Sequence, residues 1–438
     1  MTNLNKTSKG ITNFINAPQV EVNRHDGAAT EFINNHNNRH LANLKKLTIP
    51  TSAKGNENWK HTNLNPIANT DFNHYSKSIN TKSFSEEDLK KHIPTDDTWE
   101  RLVFIDGNYQ ADLSILFNNR TDGITFRTIS PTISVEKHIG SSYANKPDVF
   151  TEINSAFLND GVFIQNQNGQ SSKVTQIVHI STNPCPPTAL HPRTIILAEP
   201  GSESTILECH ISLTDTTHLT NNVTEIILNE NSHVTYYQLL NQNPESYQIN
   251  STHVFQKQNS TFESVSIAKG SSILRNEMKI QLAGEQSECS LKGLYFTSGS
   301  EHIDNHIMID HSAPKAKSEI FYKGILDDKS KAVFSGGVLV RKNAQKTVAK
   351  QTDKNLLLSK GARINTKPML EIYADDVECT HGATAGSIAS EALFYMQSRG
   401  IGIEMARKLL VNGFANQIID NIQLESFKKY VSHNFLPN

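Results

Sequence analysis

Between residues 161 and 369 no amphipathic helix can be drawn, and that absence constrains the chain more than any single motif. Short β-branched runs alternate with polar clusters instead. Thr194-Ile195-Ile196-Leu197, Glu225-Ile226-Ile227-Leu228 and Val234-Thr235-Tyr236-Tyr237 are examples. Turn clusters fall at 199–202, 229–232, 269–272, 283–286, 298–300, 326–329 and 342–344, a spacing of roughly a dozen residues or a small multiple of it. A sandwich, a barrel or a β-helix would satisfy this pattern. Asn-Gly, the signature of tight hairpin turns, occurs once in this stretch, at Asn168-Gly169, and that scarcity favours the β-helix. In that fold each coil buries its inward side chains on the next. Ile303, Ile307 and Ile309 make one apolar strand face, with His302, Asp304 and His306 opposite.

Helical patterns lie on either side of this body. Residues 1–28 read as a loose lead-in. A helix is predicted over 30–47, where Phe32, His36, Leu41, Leu44 and Leu47 share a stripe ahead of Pro50. Trp59 stands in a polar loop and is expected to anchor it on the core. Ser85 and Asp88 form a capping box for a second short helix that ends before Pro94. Strand character begins at Arg101-Leu102-Val103-Phe104-Ile105, turned by Asp106-Gly107-Asn108, and one helical interruption follows over 149–158. In the tail, Ile388, Ala392, Tyr395 and Met396 share a helical face, with Ser387 as N-cap and Gly400 as the stop. Met405 with Leu409 and Ala406 with Leu410 make the next apolar face, closed by Gly413. Ile418, Ile422, Phe427 and Val431 continue into a last segment. Three such helices are expected to cap the open end of the β body, to dock another protein, or both. The resulting division is 1–100 mainly helical, 101–386 a β core, and 387–438 a C-terminal helical domain.

Composition removes several function classes. The chain has 438 residues, 37% hydrophobic, and a mean hydropathy of −0.45. Its longest apolar runs, such as Leu102-Val103-Phe104-Ile105, are far short of the ~20 residues that span a bilayer. The first residues, MTNLNKTSKG, lack the apolar centre of a signal peptide, so a cytoplasmic location is expected and no membrane partner. Net charge is −2, the isoelectric point is near 6.8, and no basic stripe is present, so nucleic acid is not an expected partner. The four cysteines, Cys185, Cys209, Cys289 and Cys379, contain no Cys-x-x-Cys, which argues against a disulfide framework or a zinc ribbon. No Walker loop, nucleophile elbow or dinucleotide fingerprint is present.

Three constellations carry chemical interest. Cys379-Thr380-His381, in a polar turn between a strand and the tail, puts a thiol and an imidazole on one side of an extended backbone. A nearby imidazolium would lower the thiol pKa and improve it as a ligand or nucleophile. Two ligands do not close a metal site, so the plain reading is a half-buried cysteine beside a hydrogen-bonding histidine. His302, His306 and His311, with Asp304 and Asp310, look metal-rich, but His311 has the opposite parity, and 18 histidines make chance clusters easy. Asp375-Asp376 is reminiscent of the carboxylates of β-helix carbohydrate-active enzymes. Neighbouring strand residues face opposite ways, however, and a turn role fits the pair better.

One family accounts for these motifs together. Asn365-Thr366-Lys367-Pro368, then Leu370-Glu371-Ile372-Tyr373-Ala374-Asp375-Asp376-Val377, then Cys379-Thr380-His381-Gly382-Ala383-Thr384, Phe394-Tyr395 and Ser398-Arg399-Gly400-Ile401 resemble the SufB/SufD family of the Suf iron–sulfur cluster assembly complex. Glu57/Trp59/Thr62/Leu64, His191-Pro192-Arg193, His302-Ile303-Asp304-Asn305-His306 and Leu356-Leu357-Leu358-Ser359 extend the resemblance over roughly residues 30 to 430. The SufB branch reads His-Glu where this chain has His381-Gly382, and it carries a cysteine before the strand where this chain has Asn365-Thr366-Lys367-Pro368. The chain is therefore similar to the SufD branch.

That resemblance implies a right-handed parallel β-helix with helical regions at both ends, acting as a non-catalytic scaffold. It implies pairing with a SufB-like paralogue near Cys379, His381, Asp375 and Asp376, and a transient iron–sulfur cluster site shared across that interface. His381 would be this chain's iron ligand, with Cys379 beside it. It also implies docking of a SufC-like ABC ATPase on the tail, around Tyr395, Arg399, Met405 and Leu409. No tightly bound cofactor is expected. A free-standing homodimer using the same face, and a carbohydrate-active enzyme using Asp375 or Asp376, are the competing readings.

Overall fold

The alternation of short apolar runs and polar corners folds into a parallel β-solenoid of about seven turns. The structure, a computed structural model, describes residues 11, 14, 28–52, 56–74, 85–117, 124–128, 137–143, 148–170, 173–182 and 187–437. The expected lead-in lies almost wholly outside the described residues, and so does Cys185.

Each turn lays one strand in each of two sheets, of eleven and ten strands. Six strands of the first sheet are Tyr247–Gln256, Ile273–Leu282, His302–His311, Lys331–Val340 and Arg363–Ile372, stacked on His218–Leu228. The second sheet stacks His233–Asn241, Thr261–Lys269, Glu288–Thr297, Lys317–Leu326, Thr347–Leu357 and Val377–Ser387 in the same way. With a side-chain period of two, every second residue points into the lumen. Val234, Tyr236, Phe262, Ile280, Ile303, Ile307, Ile309 and Phe334 fill it as one continuous core. Stacking puts like on like, and buried polar positions use that. Asn222 donates to Asn250, and Asn250 to Asn276, each at 2.7 Å, an amide ladder inside an apolar core.

The corners explain why the chain coils instead of folding into hairpins. Asn231, Asn259, Gln286, Lys315 and Lys346 all take left-handed φ values between 55° and 60°. Each N–H then points along the solenoid axis and donates to a carbonyl in the next turn: Gln258, Glu285, Pro314, Gln345 and Asp376, respectively. One corner thus carries its own hydrogen-bond column. A tight hairpin does occur at Asp106-Gly107, φ 46° and 78°, between Glu100–Ile105 and Asn108–Tyr109.

Helices shelter the outer faces. Helix α1 (Ala28–Leu44), α2 (Glu86–His92) and α3 (Val149–Ala156) match the expected positions, and the Ser85–Asp88 capping box is present. Leu44, Leu64, Ile67, Phe150 and Ile153 pack on Leu219, Ile249 and Ile273 of the first sheet. Trp59 anchors its loop as expected. It packs on Phe150, and the Arg275 guanidinium lies 3.9 Å from its ring. That guanidinium also pairs with Asp304 at 2.6 Å, and Thr62 of the same segment lies 3.0 Å from His302 Nε2, so Asp304 and His302 are engaged in clamping the loop.

The tail forms α4 (Ser390–Ser398), α5 (Ile403–Ile419) and α6 (Glu425–Phe435). Three expectations change here. Ser387 is the last residue of a strand, and Ala389 precedes α4 without a side-chain cap. Gly413 lies inside α5, where the ~1 kcal/mol propensity cost of glycine is outweighed by packing on either side of it. Finally, α5 and α6 lie along the side of the solenoid and leave its end uncapped. Ala415, Ile418, Phe427 and Val431 pack on Tyr237, Leu239, Ile267, Leu294 and Ile325, the outward residues of the second sheet. Those strands are apolar on both faces, as strands covered on both sides must be. Gly400 does stop α4. With φ 83°, it lets its own N–H reach Gln397 and that of Ile401 reach Met396.

Candidate functional site

The site is built by the last turn, because no strand of the described residues stacks on it. Arg363–Ile372 and Val377–Ser387 are the terminal strands of their sheets, each paired on one side only. Every other turn hides its inward residues under the next turn. Here the outer edge of both strands keeps unpaired backbone donors and acceptors, a template for another chain.

Cys379 and His381 lie in the strand Val377–Ser387, not in a turn. Their shared parity holds. Cys379 stands on Ala349 and His381 on Gln351, and both lower residues are buried in the lumen. The half-buried Cys379 packs on the core, while His381 is exposed at the open mouth. Burial pushes the Cys379 thiol above its ordinary range, only partly offset by a backbone hydrogen bond to Ala349. The expected lowering by the imidazole is therefore overturned, and at neutral pH this is a thiol, a weak ligand by itself.

Beneath the mouth the lumen turns polar. Gln351, Asp353 and Asn355 point inward from Thr347–Leu357, directly under His381, Ala383 and Ala385. Asp353 is 1% exposed. One carboxyl oxygen accepts from Asn355 Nδ2 at 2.8 Å, and Oδ1 has no hydrogen-bond partner. Burial pushes this carboxyl up to about 7. Tyr295 donates to Asn355 Oδ1 from two turns below. Gln351 donates to the Gly336 carbonyl at 3.2 Å and leaves its own Oε1 unpartnered. A Cβ at Gly336 would sit 2.2 Å from Gln351 Nε2, so a side chain there would displace that amide. Sequence reading passed over Asp353, because its neighbours are assembled by stacking.

The other expected residues fall in two places. Asp375 and Asp376 occupy the exposed bend between the last two strands. Asp376 is the top of the corner column: its carbonyl accepts from Lys346 at 2.6 Å, and its N–H donates to Gln345 Oε1. Tyr395, Met405 and Leu409 are exposed on α4 and α5, with Phe394 (73% exposed) and Ile403 beside them in sequence. The Arg399 guanidinium lies 5.2 Å from the Tyr395 ring. Five exposed large apolar side chains within residues 394–409 are an unusual concentration for a monomer surface.

The chain thus offers one exposed imidazole, one half-buried thiol and two free strand edges at one end, and an apolar helical surface elsewhere. Comparison with known proteins gives this arrangement a context. A family model described as "SUF system FeS cluster assembly, SufBD core domain" matches residues 179–414, and the "SufBD protein N-terminal region" matches residues 11–178. The iron-sulfur cluster assembly protein SufD of Escherichia coli is 32% identical over 90% of this chain and 90% of its own length. A SufBD family protein of Synechocystis is 29% identical over 88% and 86%. The chloroplastic protein ABCI7 of Arabidopsis thaliana is 29% identical over 85% and 80%.

Proposed function

The chain belongs to the SufBD family of the SUF iron–sulfur cluster assembly system, and from that premise we propose that it is the SufD-type scaffold subunit of such a complex. The observation that carries this reading is the uncovered last turn with His381 at its mouth. A SufB-like paralogue pairs with the free edges of Arg363–Ile372 and Val377–Ser387 and closes the solenoid. His381 then supplies one ligand to a nascent cluster, the cargo of the complex, and the partner supplies thiolates. Cys379 packs the seam beside it. Asp375 and Asp376 shape the rim of the interface.

The exposed side chains Tyr395, Met405 and Leu409, with Arg399, receive a SufC-like ABC ATPase. The chain itself is not an enzyme on this reading, and the cytoplasm is its compartment. No helix of the described residues is long and apolar enough to cross a membrane.

Native mass measurement of the chain co-expressed with SufB-like and SufC-like partners tests the proposal. A complex containing all three is expected. A chain that stays alone, or forms only its own dimer, overturns the pairing. Within an intact complex, His381→Ala is expected to leave assembly unchanged and reduce cluster yield. An unchanged yield removes His381 from the site.

A further inference from the structure

A second group of ligand-type side chains lies deep in the lumen, several turns from the open end. His179 comes from Thr175–Ser181, and Glu208 and His210 from the adjacent strand Glu203–Ser212. Register places His179 directly on His210, while Glu208 shares the inward face two residues away. All three are buried: His179 is 5% exposed, the other two 0%. Among the described residues they are the one set of three whose ligand atoms lie within 4.8 Å of one another.

The geometry points to a mononuclear site for a divalent first-row transition ion, of the ferrous or zinc type, bound by His179, Glu208 and His210. Three observations carry the assignment. First, Glu208 Oε1 lies 3.3 Å from His179 Nε2 and 3.5 Å from His210 Nε2. Those spans are long for charge-assisted hydrogen bonds, but ligands held at ~2.0–2.2 Å by one tetrahedral ion stand about that far apart. Second, the buried nitrogens of both rings have no partner besides the Glu208 carboxylate, which faces their Nε2 atoms at those long spans. A buried polar atom left so costs about 1–3 kcal/mol, and a cation between the two Nε2 atoms removes two such costs at once.

Third, the carboxylate is already oriented. Thr194 donates to its Oε1 at 2.9 Å, Thr224 to Oε2 at 2.9 Å, and the Tyr236 hydroxyl to Oε2 as well. These are the outer partners that hold a metal-binding carboxylate in place. The rings are held too. His179 and His210 stack with centroids 4.7 Å apart, and Phe104 stacks on His179 at 5.2 Å. Two imidazoles and one carboxylate suit ferrous iron, cobalt and zinc. The lack of sulfur disfavours copper(I), and the nitrogen ligands disfavour calcium and magnesium.

This site is separate from the one at the open end, so its test removes that one. The full chain carrying His381→Ala and Cys379→Ser is expressed in medium supplemented with cobalt(II), then purified and washed with EDTA. Exposed histidines release cobalt to the chelator, while a lumen site retains it. About one equivalent is expected to remain, with an X-ray absorption shell containing two imidazoles, and Glu208→Gln in the same background should drop retention at least tenfold. Retention below about 0.1 equivalent overturns the site. So does a shell with fewer than two imidazoles, a readout that does not depend on how any lumen variant folds. Failure here leaves the pairing proposal intact, because that rests on His381 and the open edge.

Discussion

Asp353→Asn isolates the buried acid beneath the open mouth. A carboxyl with an ordinary pKa of ~3.9 in the unfolded chain is held at about 7 in the fold, by burial alone. A raised carboxyl pKa means the folded state keeps its proton while the unfolded state has lost it. Stability is then highest below the unfolded value, falls as pH rises, and levels off above about 7. At ~1.36 kcal/mol per pH unit the whole difference is about 4 kcal/mol, and the portion between pH 5.5 and 8.5 about 2 kcal/mol. Asparagine has nearly the same shape, can still accept from Asn355, and does not titrate. Its amide takes the place of Oδ1 and finds no better partner, a constant cost at every pH. The informative quantity is therefore the change with pH. Urea unfolding of both chains at pH 5.5 and 8.5 should show the variant gaining about 2 kcal/mol relative to the native chain on going to the higher pH. Parallel profiles would refute the argument, since they would mean that water or a partner group already solvates Asp353.

Other substitutions separate surface from core. Phe394→Ser with Leu409→Ser is expected to leave stability within about 0.5 kcal/mol, because both side chains already face solvent, while abolishing co-purification with the proposed SufC-like partner. Phe427→Ala, in contrast, empties a fully buried position between α6 and the second sheet, and should cost about 3–5 kcal/mol in denaturant unfolding. Gly284→Ala would place a Cβ 1.9 Å from the Gln258 backbone nitrogen in a corner turn, so a loss of about 1–3 kcal/mol is expected.

The body of the fold was legible because a solenoid repeats local rules. The turn clusters over 199–344 all fall at strand junctions, and the parity of Ile303, Ile307 and Ile309 was read correctly. The last strand was misread as a turn for a physical reason. Its inward positions, Cys379, His381, Ala383 and Ala385, have no turn above them to pack against, so the apolar alternation that marks the other strands disappears. The expected end cap failed for a related reason. The tail's apolar residues were visible, but which surface they cover depends on the outward residues of strands far away in sequence, such as Leu239 and Ile267. Asp353 and the His179–Glu208–His210 group escaped notice because stacking, not sequence spacing, brings their neighbours together.

The side placement of the tail changes what a partner on it can reach. Lys323 Nζ, in Lys317–Leu326, donates to the Phe414 carbonyl at 2.6 Å and to Gln417 Oε1 at 2.7 Å, and lies 3.7 Å from the Phe414 ring centroid. Lys292 reaches Asn421 at 2.7 Å, and Tyr237 accepts from the Gln423 N–H at 3.1 Å. Helix α5 and the chain that follows it are thus bolted to strands of the solenoid wall. On the lumen side of that wall, Tyr322 and Gly324 flank Lys323, and a Cβ at Gly324 would touch both Asn355 and Tyr295 at 2.4 Å. Asn355 holds Asp353, in the turn on which His381 stands. Packing is therefore continuous from α5 through one strand of wall to the floor of the open mouth. A load applied to the exposed apolar residues of α5 meets no flexible linker before that floor. The same contacts make deletion of the tail a poor probe of docking, because it would strip the cover from Tyr237, Leu239, Ile267 and Leu294. Substitutions confined to the exposed face leave the bolts in place and report on docking alone.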